Sequence, residues 1–234
     1  MTLVLALRCQ DAVVLASDGQ ATIDAAGQPT RAAQRKLFAA GGWLAWGCAG
    51  TVGLQQSVAG ALDESLALVK APSAAAVRRE LVRTVIPIQQ QALRDHVPVD
   101  GALAPEIACV FAWHGSDGPQ ILSIPRTGAD HQFHARHASI GSGDIFAELA
   151  LRQAALHGAG AMTIEQAKML AFRAVADAID VAAVYLGPPI QLTVVDARGA
   201  HAVGSDEIDG PLADAVELWR LRELELLGEL GAVG

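Results

Sequence analysis

Strand-like and helix-like segments come in blocks along this chain, and that order restricts the folds open to it. Residues 2–15 hold two runs rich in branched side chains, LVLAL and AVVLAS, on either side of a polar CQD turn, which predicts a hairpin. KLF and WLAWGCAG predict a second strand pair about the Gly41-Gly42 turn, with residues 24–34 (DAAGQPTRAAQ) before them as a Gly/Pro loop. Residues 51–70 and 73–96 carry apolar side chains at helical spacing, separated by an Ala71-Pro72 break; Pro87 predicts a kink or an early end to the second. After a loop at 98–105, EIACVFAWHG, QILSIPR and HQFHARHASIG predict strands. Helices follow at 142–157 and 163–184, the latter opened by Thr163 and Gln166 in a capping-box pattern, then the strand IQLTVVD. The last helix spans 211–230, with Leu212, Val216, Trp219, Leu226, Leu227 and Leu230 in a stripe interrupted by Glu223. Strands, two helices, strands, two helices, strand, helix is an α+β order: antiparallel sheets covered by helices, not alternating βαβ units.

With 234 residues and 52% hydrophobic side chains, the chain is long enough for one domain with a substantial core. Its 17 basic residues stand against 25 acidic ones, a net charge of −8 with no basic run, which argues against nucleic acid as a partner. Cys9, Cys48 and Cys109 sit far apart in apolar segments without CxxC spacing, the pattern of buried thiols in a reducing compartment, so a cytoplasmic location is expected. Arg8, Gln10 and Asp11 break the N-terminal apolar run and no basic region precedes it, so it does not read as a signal peptide. No uninterrupted apolar stretch reaches the roughly 18 residues of a membrane span, and a soluble protein without membrane partners is expected.

Thr2, directly after Met1, is a small second residue of the kind methionine aminopeptidase exposes. The mature chain then begins with a hydroxyl beside a free amine, a nucleophile with its own base. Such a hydroxyl needs a lysine to stabilise the developing alkoxide and a carboxylate to hold that lysine charged. Asp18 ends the first hairpin and Lys36 opens the second strand pair, so both can return to the edge where Thr2 begins.

The run TLVLALRCQDAVVLASDGQAT, then RKLF and CAGTVG, and much later SIGSGDIF with a long Ala-rich helix, resembles the β subunits of the proteasome and their bacterial relatives over roughly residues 2–196. The resemblance implies the four-layer αββα sandwich of the N-terminal nucleophile hydrolases. It also implies Thr2 as nucleophile, Asp18 as the acid orienting Lys36, Gly50 as an oxyanion N–H and Ser142 as a serine beside the terminal amine. Thr22 and Ala49 match positions whose main chain pairs with an extended substrate, and Ala21, Gln34, Phe38, Cys48, Val52 and Gln56 line the specificity pocket, whose apolar majority favours hydrophobic or mixed side chains. Two departures stand out. The Asp and Ser that in the family follow the last long helix are missing from DVAAVYLGPPI, where Asp180 is the nearest carboxylate but out of register, and Gln20 replaces a common basic residue.

The expectation is a threonine-type endopeptidase, activated by loss of Met1 alone and needing no cofactor or metal. It acts on peptides or unfolded proteins inside a ring-shaped homo-oligomer, with stacked rings and an ATPase unfoldase as further partners the family allows. Two alternatives stay open: a structural subunit with an incomplete site, and a small-molecule amidase of the same fold. A nucleotide-binding reading of IGSGDIF lacks the third glycine and a βαβ setting. His131, His134 and His137 alternate across both faces of a strand and read as a polar strand, not a metal site. Trp43, Trp46 and Trp113 read as core or subunit-contact residues, and the last helix as either a final core helix or a subunit contact.

Overall fold

In the computed structural model, β1 (Leu3–Arg8) buries both of its faces. Side chains alternate across a strand, so Leu3, Leu5 and Leu7 enter one apolar cluster while Val4 and Ala6 enter another. An antiparallel strand reads as a continuous apolar run only when both sides of its sheet are covered, and the rest of the chain supplies that cover. The structure describes residues 2–25, 28–66, 73–97, 104–128, 130–156, 162–183 and 185–231. Outside them lie Met1, the tip of the expected 24–34 loop, the end of the first expected helix with its Ala71-Pro72 break, most of the 98–105 loop, His157 and Val184.

One five-stranded sheet is built from β1, β2 (Val13–Ser17), β10 (His137–Gly141), β11 (Gln191–Asp196) and β12 (Gly199–Ala202), in the order β10-β1-β2-β11-β12. The other runs β5-β6-β7-β8-β9, from β5 (Leu37–Ala40), β6 (Leu44–Gly50), β7 (Ile107–Gly115), β8 (Gly118–Ile124) and β9 (Gln132–Phe133). Every pairing is antiparallel. The sheets face each other across a cluster rich in small side chains, among them Ala6, Ala45, Ala49, Ala108, Ala112 and Ala138. Their approach is close enough that a Cβ on Gly47 would meet Val4 Cγ1 at 2.6 Å. Helices α1 (Val52–Leu66) and α2 (Ala74–Asp95) cover the outer face of the second sheet with Val58, Leu62, Val77, Leu81 and Val85. Helices α3 (Asp144–Leu156) and α4 (Ile164–Val181) cover the first sheet, joined by the chain end. That end is the single turn α5 (Ser205–Glu207), a π-helical turn (Ile208–Leu212) and α6 (Ala213–Gly231). The result is the expected αββα sandwich.

The 24–34 loop is instead part of a hairpin, β3 (Gln20–Ala25) paired with β4 (Gln28–Ala33). A two-stranded ribbon is all edge, so Pro29, opposite Asp24, costs it little. Helix α2 continues through Pro87, with Val77, Leu81 and Val85 anchoring one side of the proline and the buried Gln89 the other. Gln89 Nε2 donates to Ile107 O at 2.7 Å and Pro125 O at 3.0 Å, and this anchorage outweighs the lost helical hydrogen bond. HQFHARHASIG divides between the sheets: β9 pairs with β8, and β10 crosses over to β1. The Thr163–Gln166 capping box forms, Trp46 and Trp113 are fully buried, and β12 is a strand the sequence did not announce.

The final helix keeps only the start of its stripe inside. Leu212 and Val216 are buried, whereas Leu226 and Leu227 are exposed and the Leu230 side chain lies outside the description. Glu223 is no blemish: its carboxylate takes Arg173 at 2.7 and 2.9 Å and Trp219 Nε1 at 2.9 Å, while Arg173 stacks over the Trp219 ring.

Candidate active site

Thr2 stands immediately before β1, and residues 141–143 wrap around it. Leu3 pairs with Gly141, the Gly143 N–H donates to Thr2 O at 3.3 Å, and Thr2 N donates to Ser142 Oγ at 3.3 Å. Gly141 has φ +101°, and a Cβ there would lie 2.0 Å from Thr2 O, so only glycine fits. The same Cβ would lie 3.4 Å from the Ala49 Cβ, which brings the end of β6 against the beginning of β1.

Asp18 follows β2, the hairpin partner of β1, and its carboxylate turns back onto Leu3. Oδ1 accepts the Leu3 N–H at 2.9 Å and the Lys36 ammonium at 2.7 Å; Oδ2 accepts the Gln20 N–H at 3.3 Å. Both side chains of the ion pair are buried, at 0 and 4% exposure, so the lysine is held through Asp18 to the first residue of β1. Burial pulls the Lys36 ammonium below the ordinary lysine value of 10.5, and Asp18 opposes that pull. Cys48 shares the electrostatic environment of Lys36: burial pushes its thiol up to about 12 against the lysine's influence. Cys9, Cys48 and Cys109 are all free and buried.

Gly50 ends β6 with φ +147°; a Cβ there would lie 2.1 Å from Glu106 O, so glycine is required by the strand beside it. Around this centre, the Phe38 ring lies 4.8 Å from the Trp46 ring, and the Arg35 guanidinium stands over Phe38 at 5.4 Å. Cys48 and Phe38 face the α1–α2 layer, and Val52 and Gln56 are exposed on successive turns of α1. Ala21 and Gln34 are half-buried on the β3–β4 side, and Thr22 lies in β3 opposite Arg31, its side chain outside the described residues.

Asp180 sits elsewhere. It lies in α4 with its carboxylate on Arg220 of α6 at 2.7 Å, in a network that also holds Asp177. Leu186 occupies the flank of the serine loop: a Cβ on Gly143 would meet Leu186 Cδ1 at 2.8 Å and Leu3 Cβ at 3.0 Å. Gln20 is buried with its side-chain oxygen against Gly187, where a Cβ would approach it to 2.2 Å. Of the three histidines only His137 lies in a strand, and each has its own partner, Arg78 for His131, Ser123 for His134 and Glu148 for His137. Gln191, the first residue of β11, was not foreseen; its amide binds the main chain that carries Lys36. The one hint was a polar residue heading the apolar strand QLTVVD.

Two face-to-face antiparallel sheets between helix layers, with Thr2 heading the first strand and Asp18 tying that strand to Lys36, define the N-terminal nucleophile hydrolase fold. Within that class the chain belongs to the proteasome family: the family described as "Proteasome subunit" matches residues 2–195. A Gly-1 mutant of Anbu from Hyphomicrobium sp. strain MC1 is a similar solved structure, with a TM-score of 0.73, 16% identity and coverage of 97% of each chain. No curated protein sequence matches the chain. Among the described residues, no helix is long and apolar enough to cross a membrane.

Proposed function

We propose that this proteasome-family protein is a threonine-type endopeptidase whose nucleophile, Thr2, is uncovered when Met1 is removed. The observation that carries the reading is the buried Asp18–Lys36 ion pair, whose shared oxygen also holds the Leu3 N–H next to Thr2. A buried cation sharing its carboxylate oxygen with the N–H next to Thr2 favours the alkoxide form of a threonine hydroxyl at that place. In the scheme, the Thr2 hydroxyl adds to the peptide carbonyl and the freed amine, directly or through water, takes the hydroxyl proton. The Gly50 N–H receives the oxyanion, the fragment C-terminal to the scissile bond leaves as the new amine with the proton held by the Thr2 amine, and water hydrolyses the remaining ester, releasing the amino-terminal fragment as a carboxylic acid and restoring the Thr2 hydroxyl. Ser142 orients the amine; Ala21, Thr22, Gln34, Phe38, Cys48, Ala49, Val52 and Gln56 receive the substrate. Asp180, held by Arg220, takes no part.

We place this site inside a cytoplasmic ring-shaped homo-oligomer acting on peptides and unfolded proteins, with stacked rings and a feeding ATPase as family precedents. The exposed leucines of α6, Leu218, Leu221, Leu224, Leu226 and Leu227, at 47–69% exposure, support a contact with a second copy of the chain. One observation favours a catalytically silent structural subunit instead: the aliphatic Leu186 packs beside Gly143, and Asp180 supplies no second carboxylate there.

Intact mass before and after treatment with a peptide epoxyketone separates the two, because the reagent needs both the hydroxyl and the amine of an N-terminal threonine. Loss of Met1 with one adduct per chain, absent in Thr2→Ala, is the expected result. A retained Met1, or a free Thr2 that never reacts, establishes the structural subunit.

A further inference from the structure

Segment 34–36 joins β4 to β5 without belonging to either strand, yet it carries the lysine on which the proposed chemistry depends. Its backbone has no ladder neighbour to hold it. The Gln34 N–H donates to Gly19 O at 2.8 Å, and three further groups, Gln34 O and the Lys36 and Leu37 N–H, are met by one side chain 155 residues beyond Lys36. Gln191 Oε1 accepts the Lys36 N–H at 2.9 Å and the Leu37 N–H at 3.4 Å, while Nε2 donates to Gln34 O at 2.6 Å. A primary amide is the side chain that suits this task, since one acceptor and one donor face must be presented together.

The place of Gln191 in the fold gives that clamp its consequence. It pairs with Ser17 across β11 and β2, so it and Asp18 stand side by side at the same end of one sheet. Lys36 leads into the opposite sheet. Asp18 grips the ammonium, and Gln191 grips the main chain of the same residue, both from one rigid platform. We infer that Gln191 is a positioning residue for the Thr2 site, fixing the Lys36 backbone so that its ammonium stays on Asp18 Oδ1 beside the nucleophile strand. The inference rests on the peptidase reading only for its catalytic consequence; the clamp itself concerns where Lys36 sits.

Gln191 lines a groove of about 580 Å³ with Gln34, Arg35 and Leu37, so a leucine of similar length is accommodated without overpacking. Gln191→Leu removes both polar functions, and Gln191→Glu keeps the acceptor but sets an oxygen against Gln34 O. Two readouts are taken on the assembled protein: kcat and KM on a fluorogenic peptide, and the rate at which Lys36 is acetylated by trace acetic anhydride as a function of pH, followed by mass spectrometry. Gln191→Leu is expected to lower kcat by about 10-fold to 100-fold with KM within about two-fold, as for a small displacement of a catalytic group. Lys36 acetylation accelerates by at least about 10-fold in the same variant because the side chain opens to the reagent, and its pH profile moves up toward the ordinary lysine value as burial is relieved. Gln191→Glu lies between it and the wild type on both measures, and serves as the comparison should Gln191→Leu not fold. Wild-type kcat together with wild-type Lys36 reactivity in the folded variant overturns the inference. If the wild type never reacts with epoxyketone while Lys36 acetylation still rises in the variant, the peptidase reading falls and the clamp stands. If the wild type reacts and the variant matches it in both readouts, the clamp falls and the peptidase stands.

Discussion

Lys36 Nζ lies 2.7 Å from Asp18 Oδ1, and neither side chain exceeds 4% exposure. Removing one member of a buried pair strands the other charge, so Asp18→Asn is expected to destabilise the fold by about 3–5 kcal/mol in urea titration. The double variant Asp18→Asn with Lys36→Met recovers part of that loss, because no uncompensated ammonium is left. An Asp18→Asn midpoint equal to wild type contradicts the pairing.

In the proposed mechanism Thr2 and Lys36 divide the chemistry. Thr2→Ala is expected to abolish peptide turnover, and Lys36→Ala to lower kcat by at least about 100-fold, the scale of a lost electrostatic stabiliser, with an unchanged circular dichroism spectrum. Lys36→Arg does not restore it, since a planar guanidinium cannot replace a compact ammonium in a closed site. Undiminished turnover in Lys36→Ala removes the mechanism.

Activity against pH is expected to be bell-shaped. The rate rises as the freed Thr2 amine loses its proton and can act as the base. It falls as Lys36 loses its own, at a pH below the ordinary lysine value of 10.5, because burial disfavours the ammonium. In stability the same shift acts oppositely: over the window below 10.5 the unfolded chain binds more protons, so this group's contribution improves as pH rises through the folded value. A kcat/KM profile flat up to pH 10.5 refutes the lysine's part.

Cys48 should resist alkylation. Its folded thiol keeps its proton to about 12, so iodoacetamide at pH 8 leaves it unmodified in the native protein and modifies it in guanidinium. Between the ordinary thiol value of 9.0 and about 12, the unfolded chain gives up this proton and the folded one does not; Cys48 therefore lowers stability as pH rises there. Rapid native labelling at Cys48, read by peptide mass spectrometry, excludes the buried placement.

Leu221→Glu with Leu224→Glu alters two exposed side chains of α6. The pair is expected to reduce the molar mass measured by light scattering at micromolar concentration while leaving the melting temperature of the separated subunit within a few degrees of wild type. A wild-type protein that is itself monomeric under those conditions sinks the ring proposal.

Much of this architecture was legible because burial leaves a trace in side-chain order. LVLAL and AVVLAS are apolar on both faces of their strands, and Thr163 with Gln166 writes its cap locally. Residues 24–34 were misread for a related reason: a Gly/Pro-containing stretch carries turn chemistry, and only pairing with Gln20–Ala25 makes Gln28–Ala33 a strand. Pro87 likewise signals a local break that the contacts of Val85 and Gln89 override.

Amino-acid order alone determined which residue types were available for chemistry: a threonine behind Met1, an aspartate ending a hairpin, a lysine opening the next pair and a glycine where a β-carbon does not fit. Their assembly was decided in three dimensions. Leu186 against the serine loop, Asp180 drawn to Arg220 and the Gln191 amide on the Lys36 backbone all join segments 40 or more residues apart. Local propensity acts over a few neighbouring residues, whereas these contacts depend on how two sheets and two helix layers pack, and no short stretch of sequence encodes that distance.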